Sequence, residues 1–505
     1  MFRPETDWIR RWALYTPNRR ILRDHEKGLE WSYSEFNARA EALAAWLTGE
    51  LGLNKGDRVA VFAKNRAETV LLFSACVKTG IILVPLNFRL MPRELDVLIV
   101  DAEPAAFFYE EEYKELVEQL TTLSGVKNRH EYGELGELLV NDPGSVVPHV
   151  PAEPIAEDDI VMILYTSGTT GVPKGAMVTH RMLYWNSVNT GLRLDLTSFD
   201  HTQSYSPFFH TGGWNVLLTP FIHHGASHTL LQKFDPDEIL TLMEKEKTTL
   251  LFGVPTMMQM MADSPLFNKV DLSSVRYAIV GGAAMPVPLI NIWHEKNIWI
   301  RQGYGLTEVG PNCFSLHQDD AIRKRGSIGF PNFYIDAKVV DPEGVELGAN
   351  ESGELWLRSH VVTPGYWRKP KETEETITDG WFHTGDIVEK DEDGFFFVVD
   401  RKKNMFISGG ENVYPADVER FLYTHPAVKE VAVIGVPDEK WGEVGKAFIS
   451  LNEGKTLTAE EVTDFCKGQL AKYKTPKHVA FLEDLPKNEA GKINRIELKK
   501  LHDER

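Results

Sequence analysis

The apolar segment Ile160-Val161-Met162-Ile163-Leu164 runs directly into Tyr165-Thr166-Ser167-Gly168-Thr169-Thr170-Gly171-Val172-Pro173-Lys174-Gly175. A short apolar run bounded by turn residues reads as a buried strand. A buried strand that empties into hydroxyls and glycines, with a lysine at the end, presents backbone N–H groups, O–H groups and a cation to one small volume. That chemistry holds phosphate oxygens. The spacing is not Walker A, because Lys174 is followed by Gly175 and not by Ser or Thr. The competing reading is a polar surface loop, which seldom stacks so many hydroxyls and glycines between an apolar strand and a Pro-Lys-Gly turn.

The rest of the composition bounds the chain. At 505 residues, with 43% hydrophobic and 25% charged side chains, it fits a globular enzyme of two to four structural units. Cys76, Cys313 and Cys466 are odd in number and widely spaced. They predict neither a disulfide framework nor a zinc site and fit a reducing, cytoplasmic setting. The N-terminal residues lack a signal-peptide layout. Ile81–Leu86 is far shorter than the ~20 apolar residues that span a bilayer, so any membrane contact is expected to be peripheral. A net charge of −18 argues against a nucleic-acid partner. Residues 401–505 carry 18 Lys/Arg against 17 Asp/Glu, so the acidic excess lies in residues 1–400. Either the tail brings cations to an anionic substrate, or the two parts simply differ.

Patterning predicts an α/β fold. A helix opening at Ser34-Glu35, with Phe36, Ala40, Leu43, Ala44 and Leu47 on one face, precedes a strand over Arg58–Phe62. A helix from about Glu68 to Lys78 stops at Gly80 and leads into a strand over Ile81–Leu86. This alternation predicts parallel sheets with crossover helices. It resumes with strands near Leu250–Val254, Val275–Val280 and Ile298–Ile300. The cluster Met257, Met258, Met260 and Met261 is read as core or as acyl-pocket lining. From about 326 to 400, short strands with turn signals predict a small β-barrel or sheet. Beyond Asp400 a compact α+β domain is expected, giving an N-terminal domain over 1–400, a hinge at 401–403 and a C-terminal domain over 404–505.

Further motifs stand in order along the chain. They are Phe208-Phe209-His210-Thr211-Gly212-Gly213, Gln302 through Glu308, Gly353 through Arg358, Trp381-Phe382-His383-Thr384-Gly385-Asp386, Asp400-Arg401-Lys402-Lys403, and Pro486 through Lys492. With the opening loop, this set resembles the adenylate-forming superfamily, which includes the AMP-binding acyl-CoA synthetases, and the resemblance spans nearly the whole chain. It implies two half-reactions. A carboxylate attacks the ATP α-phosphate to give an acyl-adenylate and pyrophosphate, and the coenzyme A thiol then displaces AMP.

The resemblance also implies roles. Thr166, Ser167, Gly168, Thr169, Thr170, Gly171 and Lys174 would hold the β- and γ-phosphates. Tyr304 would stack on adenine, with Gly282 and Ala283 on the opposite face and Gln302 and Gly303 at the purine edge. Thr307 would donate to the α-phosphate and Glu308 would hold Mg²⁺. Asp386 would accept from the ribose hydroxyls, assisted by Arg401, and Lys492 would bridge carboxylate and α-phosphate. Lys403 would be the hinge about which the C-terminal domain, expected to be mobile, exchanges Lys492 for Ser408, Gly409 and Gly410 at the coenzyme A entrance. A plain turn is the competing reading of the Gly-Gly pair. Lys472, Lys474 and Lys477 would meet coenzyme A phosphates or form an exposed basic patch.

The acid is constrained by Phe209-His210-Thr211-Gly212-Gly213, which carries no carboxylate to pair with an α-amine. An unpaired ammonium there would be costly, so an amino acid is not expected. His210 would gate the pocket or meet the substrate carboxylate, or else be a core histidine. Trp214, beside Phe209 and His210, is expected to line an acyl tunnel. The sequence reading favours a medium- or long-chain fatty acid. An aromatic acid of the cinnamate or benzoate type comes next, and loading of a carrier protein is the other alternative. No Asp-Ser-Leu-like attachment site follows residue 400. A monomer or a homodimer is expected.

Overall fold

In the computed structural model the described residues are 5–135, 149–166, 173–282, 285, 287–401, 406–413, 415–486, 493 and 495–503. They form two compact units: residues 1–88, 99–165 and 175–400, and residues 401–505 together with the short segments 89–98 and 166–174.

The helix Tyr33–Gly49 begins one residue before the expected Ser34, where Ser32 and Glu35 form a reciprocal capping box and Tyr33 joins the buried face. That box satisfies two otherwise orphaned N–H groups. Phe36, Ala40, Leu43, Ala44 and Leu47 are all buried. The next helix, Ala67–Thr79, is buried on every side and ends at Gly80 in the left-handed region, φ 75°. A helix with no wet face belongs between layers. Its one ammonium, Lys78, is held at 2.7 Å by Asp7 and 2.8 Å by Glu41, as a buried charge requires.

These elements surround a six-stranded sheet in the order Asn128–Glu131, Ala106–Tyr109, Arg58–Phe62, Ile82–Leu86, Ile160–Thr166, Lys174–Thr179. Arg58–Phe62 pairs in parallel with both of its neighbours. A four-stranded sheet packs Leu29–Ser32, Arg20–Asp24, Ser227–Leu230 and His201–Ser204.

A third sheet begins with the parallel strands Leu250–Gly253, Tyr277–Val280 and Trp299–Leu306. Trp299–Leu306 then outruns its parallel partner, and residues 303–306 pair antiparallel with Gly310–Ser315. The β-rich segment expected from 326 continues this hydrogen-bonded path through Ser327–Pro331, Phe396–Arg401, Trp381–Lys390, Ser352–Arg358 and Asp336–Val340. In the second unit, Phe406–Ser408, Glu411–Val413, Val428–Asp438, Gly442–Leu451 and His478–Phe481 share one sheet. The helices Pro415–Leu422, Ala459–Cys466 and Arg495–Asp503 complete its α+β pattern.

Cys76, Cys313 and Cys466 are unbridged and buried. Burial pushes the Cys466 thiol up to about 12, so it serves as apolar filling. Among the described residues no helix is long and apolar enough to cross a membrane.

Among the described residues, His180, His223 and His228 are folded in their neutral form. Burial pushes His180 down to about 4 and His228 down to about 3, the latter also through its neighbour His201. An unfolded imidazole titrates near 6.5. Their stabilising contribution is therefore complete above pH 6.5 and is lost as pH falls toward 3–4. Each proton taken up on unfolding contributes a slope of about 1.4 kcal/mol per pH unit. Urea melts between pH 7 and 4.5 should show stability falling with acid, and a His228→Gln variant should show a shallower fall. An identical slope in that variant would exclude His228 as a source.

Candidate active site

The strand Ile160–Thr166 leads into the opening loop, and the chain returns at Lys174. The Thr166 hydroxyl donates to the Lys174 carbonyl at 3.4 Å, which closes the loop's mouth. The Tyr165 hydroxyl donates to Asp101 Oδ2 at 2.7 Å, and burial together with that carboxylate pushes the phenol's pKa upward. Ser167, Gly168, Thr169, Thr170 and Gly171 lie outside the described residues.

The segment 363–367 ties the loop's exit strand to Glu308. Thr363 N donates to the Glu308 carbonyl at 2.7 Å, and the Thr363 hydroxyl donates to Met177 O at 2.7 Å. Met177 N donates to Gly365 O, and Trp367 N to Gly175 O. The Tyr366 hydroxyl then donates to Glu308 Oε1 at 3.0 Å. Thr307 and Glu308 occupy a single 3₁₀ turn, Thr307–Val309, at the point where the chain reverses. Neither Thr363 nor Tyr366 was signalled by the sequence reading; Gly365-Tyr366-Trp367 resembles any aromatic turn.

That reversal depends on Gly305. A Cβ there would lie 2.4 Å from both the Gly310 oxygen and the Pro311 carbonyl carbon, a distance no side chain can tolerate. One residue earlier, Tyr304 donates its hydroxyl to Asp386 Oδ2 at 2.6 Å. Phe314 meets the Tyr304 ring edge-on, with centroids 5.7 Å apart.

Asp386, 1% exposed, is placed by two motifs acting as one. Trp356 and His383 are cross-strand partners and stack at 3.9 Å. The Glu354 carboxylate accepts from Gly385 N at 3.1 Å, and the Thr384 hydroxyl accepts from Asp386 N at 3.1 Å. Gln302 is also turned to structural use, since its Oε1 accepts from Met285 N at 2.9 Å and so fastens the turn that carries Gly282. Gly303 pairs with Ser315 across the sheet. Ala283 lies outside the described residues.

The segment carrying Phe209 and His210 enters a single π-helical turn, Gly212–Val216. His210 lies 4.5 Å from the Phe209 ring, centroid to centroid, and Phe88 meets Phe209 edge-on. Trp214, expected to line an acyl tunnel, is fully buried. It is 0% exposed, stacked at 4.5 Å on Phe208 and 5.0 Å from Phe73, and its indole N–H donates to Phe208 O at 2.6 Å. The indole therefore backs Phe208 from within the core. The methionine cluster divides in the same way: Met258 and Met261 are core, while Met260 is exposed.

In the second unit Ser408, Gly409, Gly410 and Glu411 form the turn of a β-hairpin, with both glycines at positive φ. A Cβ on Gly409 would lie 2.6 Å from the Trp441 ring. These needs account for the Gly-Gly pair without reference to any ligand. Lys477 pairs with Asp438 at 3.2 Å. Lys403 and Lys492 lie outside the described residues, as does the side chain of Arg401, whose backbone ends the strand Phe396–Arg401.

Among the described residues no three His, Cys, Asp or Glu side chains could jointly hold a metal ion. A single carboxylate at Glu308 nonetheless fits Mg²⁺, which draws most of its ligands from phosphate oxygens and water.

The AMP-binding enzyme family matches residues 9–367, and the AMP-binding enzyme C-terminal domain matches residues 417–492. The chain belongs to the AMP-binding enzyme family. A feruloyl-CoA synthase from Amycolatopsis is 39% identical over 98% of both chains. A long-chain-fatty-acid–CoA ligase of Mycobacterium tuberculosis is 33% identical over 97% of both. The structure of an o-succinylbenzoate CoA synthetase from Bacillus subtilis, bound to its product analogue, superposes with a TM-score of 0.88 at 30% identity, covering 98% of each chain. In this AMP-binding enzyme, then, the paired motifs bring Tyr304 to Asp386 and Tyr366 to Glu308 within one unit.

The Gly305 turn yields a prediction. Gly305→Ala should lower stability in urea by about 1–3 kcal/mol, the usual cost of overpacking. Gly303→Ala, whose Cβ would lie no closer than 3.7 Å to its nearest neighbour, should melt like the wild type. Equal stability of the Gly305→Ala variant would contradict the tight reversal.

Proposed function

We propose that this chain, an AMP-forming acid–thiol ligase, activates an aromatic carboxylic acid as its coenzyme A thioester. The observation that carries this reading is the greater full-length identity to a feruloyl-CoA synthase, 39%, than to a long-chain-fatty-acid–CoA ligase, 33%. The site's chemistry supports it. With Trp214 drawn into the core, the Phe209–His210 wall offers flat ring faces, and it carries no carboxylate for a substrate amine. This replaces the fatty-acid preference of the sequence reading, because the greater identity is to a feruloyl-CoA synthase.

The chemistry divides into two displacements. A substrate carboxylate oxygen attacks the α-phosphorus of ATP, the bond from that phosphorus to the bridging oxygen breaks, and pyrophosphate leaves. The coenzyme A sulfur then attacks the acyl carbon, AMP departs with the bridging oxygen, and the thiol proton passes to solvent.

Thr166 and Lys174, with the loop between them, hold the terminal phosphates. The Tyr304 ring stacks on adenine, while its hydroxyl holds Asp386 ready to accept from the ribose. Gln302 keeps the turn bearing Gly282 against the purine. Tyr366 fixes the Glu308 carboxylate, which would hold Mg²⁺; the ion, when bound, supplies positive charge to phosphate oxygens. Thr307 donates to the α-phosphate, and Lys492 neutralises the two approaching anions. Fixed donors and cations of this kind dominate reactions that gather charge on oxygen.

Pyrophosphate release should be measured with ferulate, benzoate, decanoate and palmitate, with and without coenzyme A. At least one aromatic acid should exceed both fatty acids in kcat/KM by about tenfold, a difference of ~1.4 kcal/mol in barrier. Higher kcat/KM for a fatty acid would overturn the assignment.

Lys492→Ala should slow adenylate formation by about 10²–10³-fold. The same variant should convert preformed acyl-adenylate to thioester at a rate close to wild type. Adenylation at the wild-type rate would remove Lys492 from the mechanism.

A further inference from the structure

Two buried amides near the purine-edge strand are each satisfied at one end only. Gln302 is 4% exposed; its Oε1 accepts from Met285 N, and its Nε2 has no protein partner. Asn332 is 2% exposed; its Nδ2 donates to Asn312 O at 2.7 Å, and its Oδ1 has no protein partner. The bonds already made fix which way each amide points, so flipping either would only exchange one orphan for another. Both side chains line the same small cavity, together with Thr190, Asn312 and Ser315. One orphaned donor and one orphaned acceptor at a cavity wall are complementary to a water molecule, which can accept from the first and donate to the second.

Beyond Asn332 the polar contacts continue without a break. Asn312 Nδ2 donates to Thr190 Oγ1 at 2.7 Å and lies 3.2 Å from the carbonyls of Asn215 and Val216. Asn186 Nδ2 donates to the same Asn215 carbonyl at 2.7 Å. Asn215 Nδ2 in turn donates to Thr211 Oγ1, next to His210, at 3.1 Å. One end of this series holds the turn bearing Gly282, and the other holds the π-turn that follows His210. The single gap falls between Gln302 and Asn332.

We propose that the cavity holds one internal water that joins Gln302 Nε2 to Asn332 Oδ1, and that Asn332 acts through it as a positioning residue for the nucleotide side of the site. The completed series is a relay of buried amides between the purine edge and the acid pocket. Loss of the water leaves a buried donor on Gln302 uncompensated and loosens the turn it holds. The positioning role rests on reading Gln302 as part of the ATP site; the water itself does not.

Two measurements on the full chain test this. A crystal structure of the wild type, at a resolution that orders internal waters, should show one water within hydrogen-bond distance of both amide atoms. Absence of that water, or a direct bond between the two amides, overturns the proposal whatever the enzyme's substrate. In steady-state kinetics, Asn332→Leu, which fills the space with apolar atoms, should raise KM for ATP by about fivefold to tenfold while kcat stays within about twofold. Asn332→Ala leaves room for a second water in place of the amide oxygen and should stay within about threefold of wild type in KM for ATP. Equal effects of the two substitutions, or an unchanged KM in Asn332→Leu, would refute the positioning role. Should Asn332→Leu fail to fold, Asn332→Val, also apolar but smaller, replaces it in the same comparison with Asn332→Ala, with the same outcomes for and against.

Discussion

The close approach of Gly305 to the Gly310 and Pro311 backbone is the constraint on which the candidate site hangs. Because nothing larger than hydrogen fits there, the strand Trp299–Leu306 can leave its parallel neighbour and fold back at once upon Gly310–Ser315. The reversal places Tyr304 before the turn and Glu308 on it, so that two side chains four residues apart face different partners. Tyr304 reaches Asp386, and Glu308 receives Tyr366. A looser turn would separate these groups by more than a hydrogen bond can span.

Some of the residues proposed to act are held by neighbours with no chemistry in the proposed reaction. Glu354 and Thr384 fix the Gly385–Asp386 backbone, and Thr363 binds the main chain of Glu308. Such fixed contacts let a polar site act without reorganising when charge develops on a substrate. They also explain why the motifs are longer than their reactive residues. Gly353-Glu354 and Thr384-Gly385 are parts of one cross-strand device, although some thirty residues divide them in the chain.

The local elements were largely legible in advance, because apolar periodicity and punctuation by glycine both act within a few residues. Arg58–Phe62 and the stop at Gly80 follow from such signals. The capping box at Ser32 shifted one helix start without changing its buried face. The partners of Trp214 were not legible in this way. Its position beside Phe209 and His210 suggested a tunnel wall, and the structure buries the indole against Phe208 and Phe73, the latter more than a hundred residues away in the chain. The Ser408-Gly409-Gly410 run shows the same limit, since Trp441, which requires a glycine at 409, is thirty-two residues away.

The sequence alone pointed to the family, to the alternation of helices and strands, and to the residues proposed for phosphate, ribose and acid recognition. Those properties reside in spacing and composition, which need no knowledge of distant contacts. Only the tertiary structure decided which of those residues meet: Tyr304 with Asp386, Glu308 with Tyr366, and Gln302 with Met285 instead of open solvent. Hydrogen bonds of this kind operate over about 3 Å, and pairs separated by tens of residues come within that range only after the sheets have fixed their register. The strand that opens into Thr166 suggested a phosphate-binding chemistry, and the fold added the 363–367 segment, which ties the strand Lys174–Thr179 to the main chain of Glu308.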